Sequence, residues 1–176
     1  MDLAERGDPQ TKTEALNLLA EWKEADANRL VVKALQSTNV EEKRSAVEMC
    51  YRQRIDQAFP ILMKMGDDKD PLVRRYLSAA LAIYGDKQAI PVLLKLLHDP
   101  YPDPFIKIWA ADALGKLGRK DGVPDMIDLL KREDTKSFRG NIVHTLQDIT
   151  GKQLEDDYGQ WNAWWQSQGK QMGNGL

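Results

Sequence analysis

Most of what marks a catalyst or a secreted domain is missing from this chain. Its 176 residues hold a single cysteine, Cys50, so neither an internal disulfide nor a cysteine-ligated zinc site can form. Cys50 lies inside a helical apolar pattern, which reads as a small core residue rather than a reactive thiol. There are two histidines, His98 and His144, and neither stands in an HExxH pair. Phosphate-binding loops, nucleophile elbows and dinucleotide fingerprints are absent. Asp67, Asp68 and Asp70, like Glu155, Asp156 and Asp157, lack calcium-loop spacing and are expected to serve turns and helix caps. No metal and no cofactor is expected. No charge of one sign dominates: the formal net charge is −2, which gives no bulk attraction to nucleic acid or to an anionic membrane. The longest apolar run is far too short to span a bilayer. MDLAERGD at the start has neither the basic nor the apolar region of a signal peptide. As written, the chain is expected in the cytoplasm, although a leader cut away beforehand would leave no trace.

What is present is a repeat. DPLVRRYLSAALAIYGDKQAIPVLLKLLHD, from Asp70, and DPFIKIWAADALGKLGRKDGVPDMIDLLKR, from Asp103, align at an offset of 33. Asp70 then meets Asp103, Pro71 meets Pro104, Gly85 meets Gly118, and Pro91 meets Pro124. Each copy predicts two helices. Asp70 and Asp103 suit the N-cap, and the prolines after them suit the first helical position, where no N–H is needed. Val73, Leu77, Ala80, Leu81 and Tyr84 recur at helical spacing, as do Ile106, Ala110, Ala113, Leu114 and Leu117. Gly85 and Gly118 stand where a left-handed residue ends a helix. The second helices are apolar at Ile90, Leu93, Leu94 and Leu97, and at Val123, Met126, Ile127 and Leu130. A hairpin of this size cannot bury its apolar surface alone, so neighbours must stack.

The stretch from Val73 to Leu97 matches the pattern VRxxAAxALGxxGDxxAIPxLLxLL and resembles the short HEAT-like repeats of the phycobilisome-lyase type. The ankyrin and tetratricopeptide signatures are missing. This resemblance implies an all-α fold, an αα-superhelix of about five helical hairpins, with repeats near 11–37, 40–67, 70–99, 103–132 and 135–168 and a flexible tail at 169–176. In the first hairpin Ala15, Leu16, Leu18, Leu19 and Trp22 make one helix, Leu30, Val31, Ala34 and Leu35 the other, and Ala25-Asp26-Ala27 the turn. In the second, Arg54 stands where Gly85 would be expected, so that turn must close differently. In the fifth, Phe138, Ile142, Val143, Leu146 and Ile149 form the first helix. Its ending, TG followed by an acidic stretch and WxxWW, is similar to the last unit of many bacterial HEAT-like proteins. Trp161, Trp164 and Trp165 share one helix face. They are expected to cover the apolar end of the stack, the alternative being an aromatic ligand platform.

Two charged ladders emerge from the register. Lys43, Arg74, Lys107 and Arg139 share a position in the first helices; Lys33, Lys64, Lys95 and Asp128 share one in the second helices. The second position is flanked by Leu30, Ile61 and Val92 on one side and by Ala34, Met65, Leu96 and Leu129 on the other, all expected to be buried. That leaves the lysine position for solvent, as a regular row on the concave face. This row is the best binding site on offer, with Tyr101, on the stiff DPYPDP loop, as a further contact candidate. His98, at the end of a second helix, is read as a cap rather than a metal ligand.

A solenoid supplies an extended surface, so the expected function is a non-catalytic scaffold binding a protein partner, with an acidic segment suited to the lysines. The resemblance also implies alternatives: a phycobilin-lyase-like enzyme or chaperone subunit, or a nucleic-acid binder like the HEAT-like alkylpurine DNA glycosylases. Against the last stands the mildly acidic charge and a lysine row that ends at Asp128. A third helical-repeat family, the deoxyhypusine hydroxylases, binds iron through His-Glu dipeptides, and this chain has none.

Overall fold

The computed structural model describes residues 8, 10, 11, 14, 25–101 and 103–167. Among these residues the chain has nine α-helices, three short 3-10 helices and no strand. It divides into two compact units, Met1–Tyr84 and Gly85–Leu176. The first helix expected near Ala15–Trp22 and the tail at 169–176 lie outside the described residues.

In the first unit, α1 is Ala25–Ala34, α2 Val40–Arg52, α3 Phe59–Leu62 and α4 Pro71–Tyr84. Ala25, Asp26 and Ala27 are therefore helical and not a turn, because alanine favours helix and no glycine or proline interrupts the run. Asn39 caps α2, its Oδ1 accepting from the amides of Glu41 at 2.9 Å and Glu42 at 3.1 Å. Leu30, Val31, Val47, Met49, Cys50, Leu62, Val73, Leu77 and Leu81 are buried. Helix α2 lies chiefly against α4, and α1 and α3 flank that pair. Asp70 accepts from the amide of Val73 at 3.0 Å, as an N-cap should. It also accepts from Arg44 Nε at 2.9 Å and from Nη2 of the same guanidinium, tying the middle of α2 to the start of α4. That pairing holds the Asp70 carboxyl below the ordinary carboxylate range. The α2 exit has no glycine, and Gln53 leaves the helix in an extended conformation, φ −147° and ψ 146°. A 3-10 turn, Asp56–Ala58, then leads into α3.

The second unit holds the 3-10 turn Lys87–Ala89, then α5 Ile90–Leu97, α6 Pro104–Lys116, α7 Val123–Leu129, the 3-10 turn Glu133–Phe138, α8 Arg139–Thr150 and α9 Tyr158–Ser167. Asp103 caps α6 by accepting from the Phe105 amide at 2.9 Å. Past its other end Gly118 has φ +77°, and the Arg119 amide reaches back to the Leu114 carbonyl at 2.8 Å. A side chain there would strain the left-handed backbone that makes this closure possible. Gly122 is needed for a different reason: a Cβ on it would lie 2.5 Å from the Ala111 Cβ, so α7 approaches α6 at the distance glycine permits. Leu93, Leu96, Leu97, Ile106, Leu114, Val123, Met126, Ile142, Leu146 and Trp161 fill this core.

Candidate functional site

The two ladders behave differently. In the first helices every basic residue is tied to backbone or carboxylates within its own unit. Lys43 Nζ lies 2.5 Å from Asp68 Oδ2. Arg74 donates to the Asp68 carbonyl at 2.7 Å and the Lys69 carbonyl at 3.2 Å. Lys107 faces Asp125 at 3.8 Å. Arg139 donates through Nε to both oxygens of Asp156, at 2.7 and 2.8 Å, and through Nη1 to the Leu130 carbonyl. This ladder ties the starts of the first helices to neighbouring segments of the same unit: the 68–69 loop for Lys43 and Arg74, α7 for Lys107, and Leu130 and Asp156 for Arg139.

In the second helices Lys33, Lys64, Lys95 and Asp128 are all exposed. One flank is buried as expected: Ala34, Met65, Leu96 and Leu129. On the other, Leu30 is buried, but Ile61 and Val92 are half-buried, which corrects the expectation of two dry sides. Helix geometry supplies the reason. A residue three positions before the lysine lies about 60° from it around the helix, whereas the residue after it lies about 100° away and turns toward the core. The surface beside Lys64 and Lys95 is therefore partly apolar.

Tyr101 is 46% exposed, and its backbone amide is held by Asp99 Oδ1 at 2.8 Å. His98 ends α5 as a cap, its ring Nδ1 donating to the Leu94 carbonyl at 2.8 Å. Burial pushes the Cys50 thiol up to about 12, as suits a core residue. The acidic runs serve turns and caps: Asp68 accepts from the Asp70 amide at 3.0 Å and Asp157 from the Gln160 amide at 2.7 Å. Among the described residues no cluster of three or more His, Cys, Asp or Glu could hold a metal ion, and no helix is long and apolar enough to cross a membrane. In α9 only Trp161 is fully buried, its indole N–H donating to the Glu155 carbonyl at 2.9 Å. Trp164 and Trp165 are half-buried.

One feature escaped the register. A cleft of about 320 Å³ in the first unit is lined, among the described residues, by Asn28, Arg52, Gln53 and Arg54. In the register Asn28 stands where later repeats have Ile90 and Val123, and Gln53 where they have Tyr84 and Leu117. With the missing glycine at Arg54, these polar departures were the available signals.

Capped helical hairpins with glycine exits and apolar second helices define a helical-repeat protein. Comparison with known families narrows that class. A model described as HEAT repeats matches residues 35–105, and one described as PBS lyase HEAT-like repeat matches 106–132. The chain is a HEAT-like repeat protein. Among curated proteins it is similar to deoxyhypusine hydroxylase of Bos taurus, 35% identical over 69 residues, and of Drosophila melanogaster, 33% identical over 67 residues. These stretches cover 39% and 38% of this chain but 22% of each relative.

Proposed function

We propose that this chain is a non-catalytic protein-binding scaffold, taking an acidic segment of a partner on the exposed lysine-bearing faces of its second helices. The observation that carries this reading is the exposure of Lys33, Lys64, Lys95 and Asp128 at one shared repeat position, beside a position that is buried in all four repeats. Half-buried Ile61 and Val92 add apolar area next to the charge, so a partner can be steered by the lysines and held by contact. Each exposed ion pair contributes little, about 0.2–1 kcal/mol, so a segment that meets both Lys33 and Lys64 of the first unit is held more firmly than one that meets either alone. The likeness to deoxyhypusine hydroxylase supports the repeats rather than the reaction, because neither His98 nor His144 is followed by Glu.

An acidic peptide, acetyl-(Glu-Ala) repeated six times and amidated, serves as the probe in an amide-resolved NMR titration. Shifts are expected at Lys33, Lys64 and Lys95, and they should shrink as salt rises toward the range where exposed charges are screened. A lysine-for-glutamate version of the peptide should leave these signals still. If both peptides shift them equally, or neither does, the scaffold reading with an acidic partner is wrong.

A further inference from the structure

We propose that the cleft at the end of α2 is a main-chain binding site, which takes one extended residue of a partner peptide and seats a neighbouring acidic side chain on Arg52. This deepens the scaffold reading and rests on it. Asn28 Oδ1 and Gln53 Nε2 are both buried, and neither has a hydrogen-bond partner. Buried polar groups are nearly always paired, and an orphaned one destabilises the fold that carries it. Here two orphans line the same cleft, one able only to accept and the other only to donate.

The complement of an acceptor beside a donor is a peptide unit. In an extended chain the N–H and C=O of a single residue point to the same edge, which is why paired strands exchange two bonds at one residue. A peptide N–H directed at Asn28 Oδ1 and the same residue's C=O directed at Gln53 Nε2 would satisfy both groups at once. About 320 Å³ lies at the low end of ligand-pocket volumes, roughly 300–1,000 Å³, and accommodates a residue or two rather than a bulky cofactor. The flanking charge is positive. Arg52 donates through Nη2 to Glu48 at 2.7 Å, which uses one of the five N–H groups of a guanidinium. Arg54 is held in place by Asp56 at 2.7 Å, by the Tyr84 carbonyl at 3.2 Å and by the Tyr84 ring at 5.5 Å.

A second observation points to the same place. The later hairpins leave their first helices through left-handed glycines, Gly85 and Gly118. This one leaves through an extended Gln53 with Arg54 at the glycine position. That departure from the repeat's own rule puts Gln53 and Arg54 on the cleft wall. Where a local rule is broken and the break leaves polar groups unpaired, function is the usual reason.

The probe is acetyl-Ala-Asp-Ala-Glu-Ala-amide, titrated to millimolar concentration against the full chain. The side-chain NH2 signals of Asn28 and Gln53 should shift. N-methylation of the central alanine should weaken binding about tenfold, the size expected for a lost hydrogen bond. Asn28→Leu and Gln53→Met should each weaken it about five- to tenfold while raising Tm by roughly 2–4 °C, since each removes a buried unpaired group. A fall in Tm would show that the two amides hold the fold together, and would overturn the proposal. Shifts confined to Lys33, Lys64 and Lys95 would sink the cleft and leave the scaffold reading standing. Silence at both places would sink both.

Discussion

The two ladders pass through the same repeats with nearly the same residue types, yet they end in different surroundings. Lys43, Arg74, Lys107 and Arg139 lie half-buried against carboxylates and carbonyls, while Lys33, Lys64, Lys95 and Asp128 stand in solvent. Composition does not distinguish them; position in the hairpin does. Near the start of a first helix the ladder residue packs against other segments of its unit: the 68–69 loop for Lys43 and Arg74, α7 for Lys107, and Leu130 and Asp156 for Arg139. A second helix turns the ladder position outward, so the charge there stands exposed, with Asp128 meeting Lys131 at 3.2 Å. The same division separates Trp161, fully buried, from Trp165, half-buried on the same short helix.

The inner side of this comparison breaks hardest at Trp161. Trp161→Ala removes a fully buried ring and an indole hydrogen bond, and a loss of about 3–5 kcal/mol is expected in chemical denaturation. Trp165→Ala, at a half-buried site, should cost less than half as much. Equal losses would mean that both rings carry the end of the stack alike.

Asp70 comes next. Asp70→Ala removes an N-cap and a bidentate ion pair together, for about 2–4 kcal/mol. Asp70→Asn keeps the cap and isolates the pair. Because Arg44 holds the folded carboxyl below its unfolded value, its stabilisation is complete above the unfolded pKa and is lost as pH falls through the folded one, below about pH 4. Wild type should therefore lose stability more steeply than Asp70→Asn in that range, and parallel acid-unfolding curves would dismiss the pair.

Asp125 is the opposite case. Burial raises its pKa, and the nearby Lys107 only partly opposes the shift. A carboxyl whose folded pKa exceeds its unfolded one is destabilising when ionised, and that cost fades as pH falls through the folded value. Asp125→Asn should raise Tm at pH 7 by up to roughly 2–4 °C and lose that advantage in acid. A lower Tm at pH 7 would show that the ion pair with Lys107 outweighs burial.

Much of this division was legible in the residues. Asp70 and Asp103 before proline, and Gly85 and Gly118 at the helix exits, name backbone needs that few other residues satisfy, so a fixed offset exposed both hairpins. The anchoring partners of the first ladder were less visible. Lys43 finds Asp68 at a separation of 25 residues, a pairing set by packing and not by local spacing. Ile61 and Val92 were misjudged because an apolar residue looks equally buried on either side of a helical position, whereas the angle to the core decides. Asn28 and Gln53 were harder to read for a different reason: they are polar where later repeats carry Ile90 and Tyr84, and orphaned amides exist only once the fold surrounds them.

The smallest expected effect is the one that separates the ladders most sharply. Lys33→Glu, Lys64→Glu and Lys95→Glu combined in one chain reverse three exposed charges, and surface changes away from specific contacts usually fall within about ±0.5 kcal/mol each. Lys43→Glu reverses only one, but it sets a carboxylate against Asp68, which Lys43 now meets at 2.5 Å with side chains 21% and 12% exposed. Removing that charge-assisted contact alone is expected to cost roughly 1.5–3 kcal/mol, and repulsion adds to it. One substitution in the first ladder should therefore lower Tm more than three in the second. The comparison needs only thermal unfolding of two variants in one buffer, repeated at high salt. Salt should narrow the gap only slightly, because the Lys43–Asp68 contact is partly shielded from solvent and screened less than exposed charge. If the triple variant proved the less stable of the two, the lysines of the second helices would be holding repeats together, and a partner would have no claim on them.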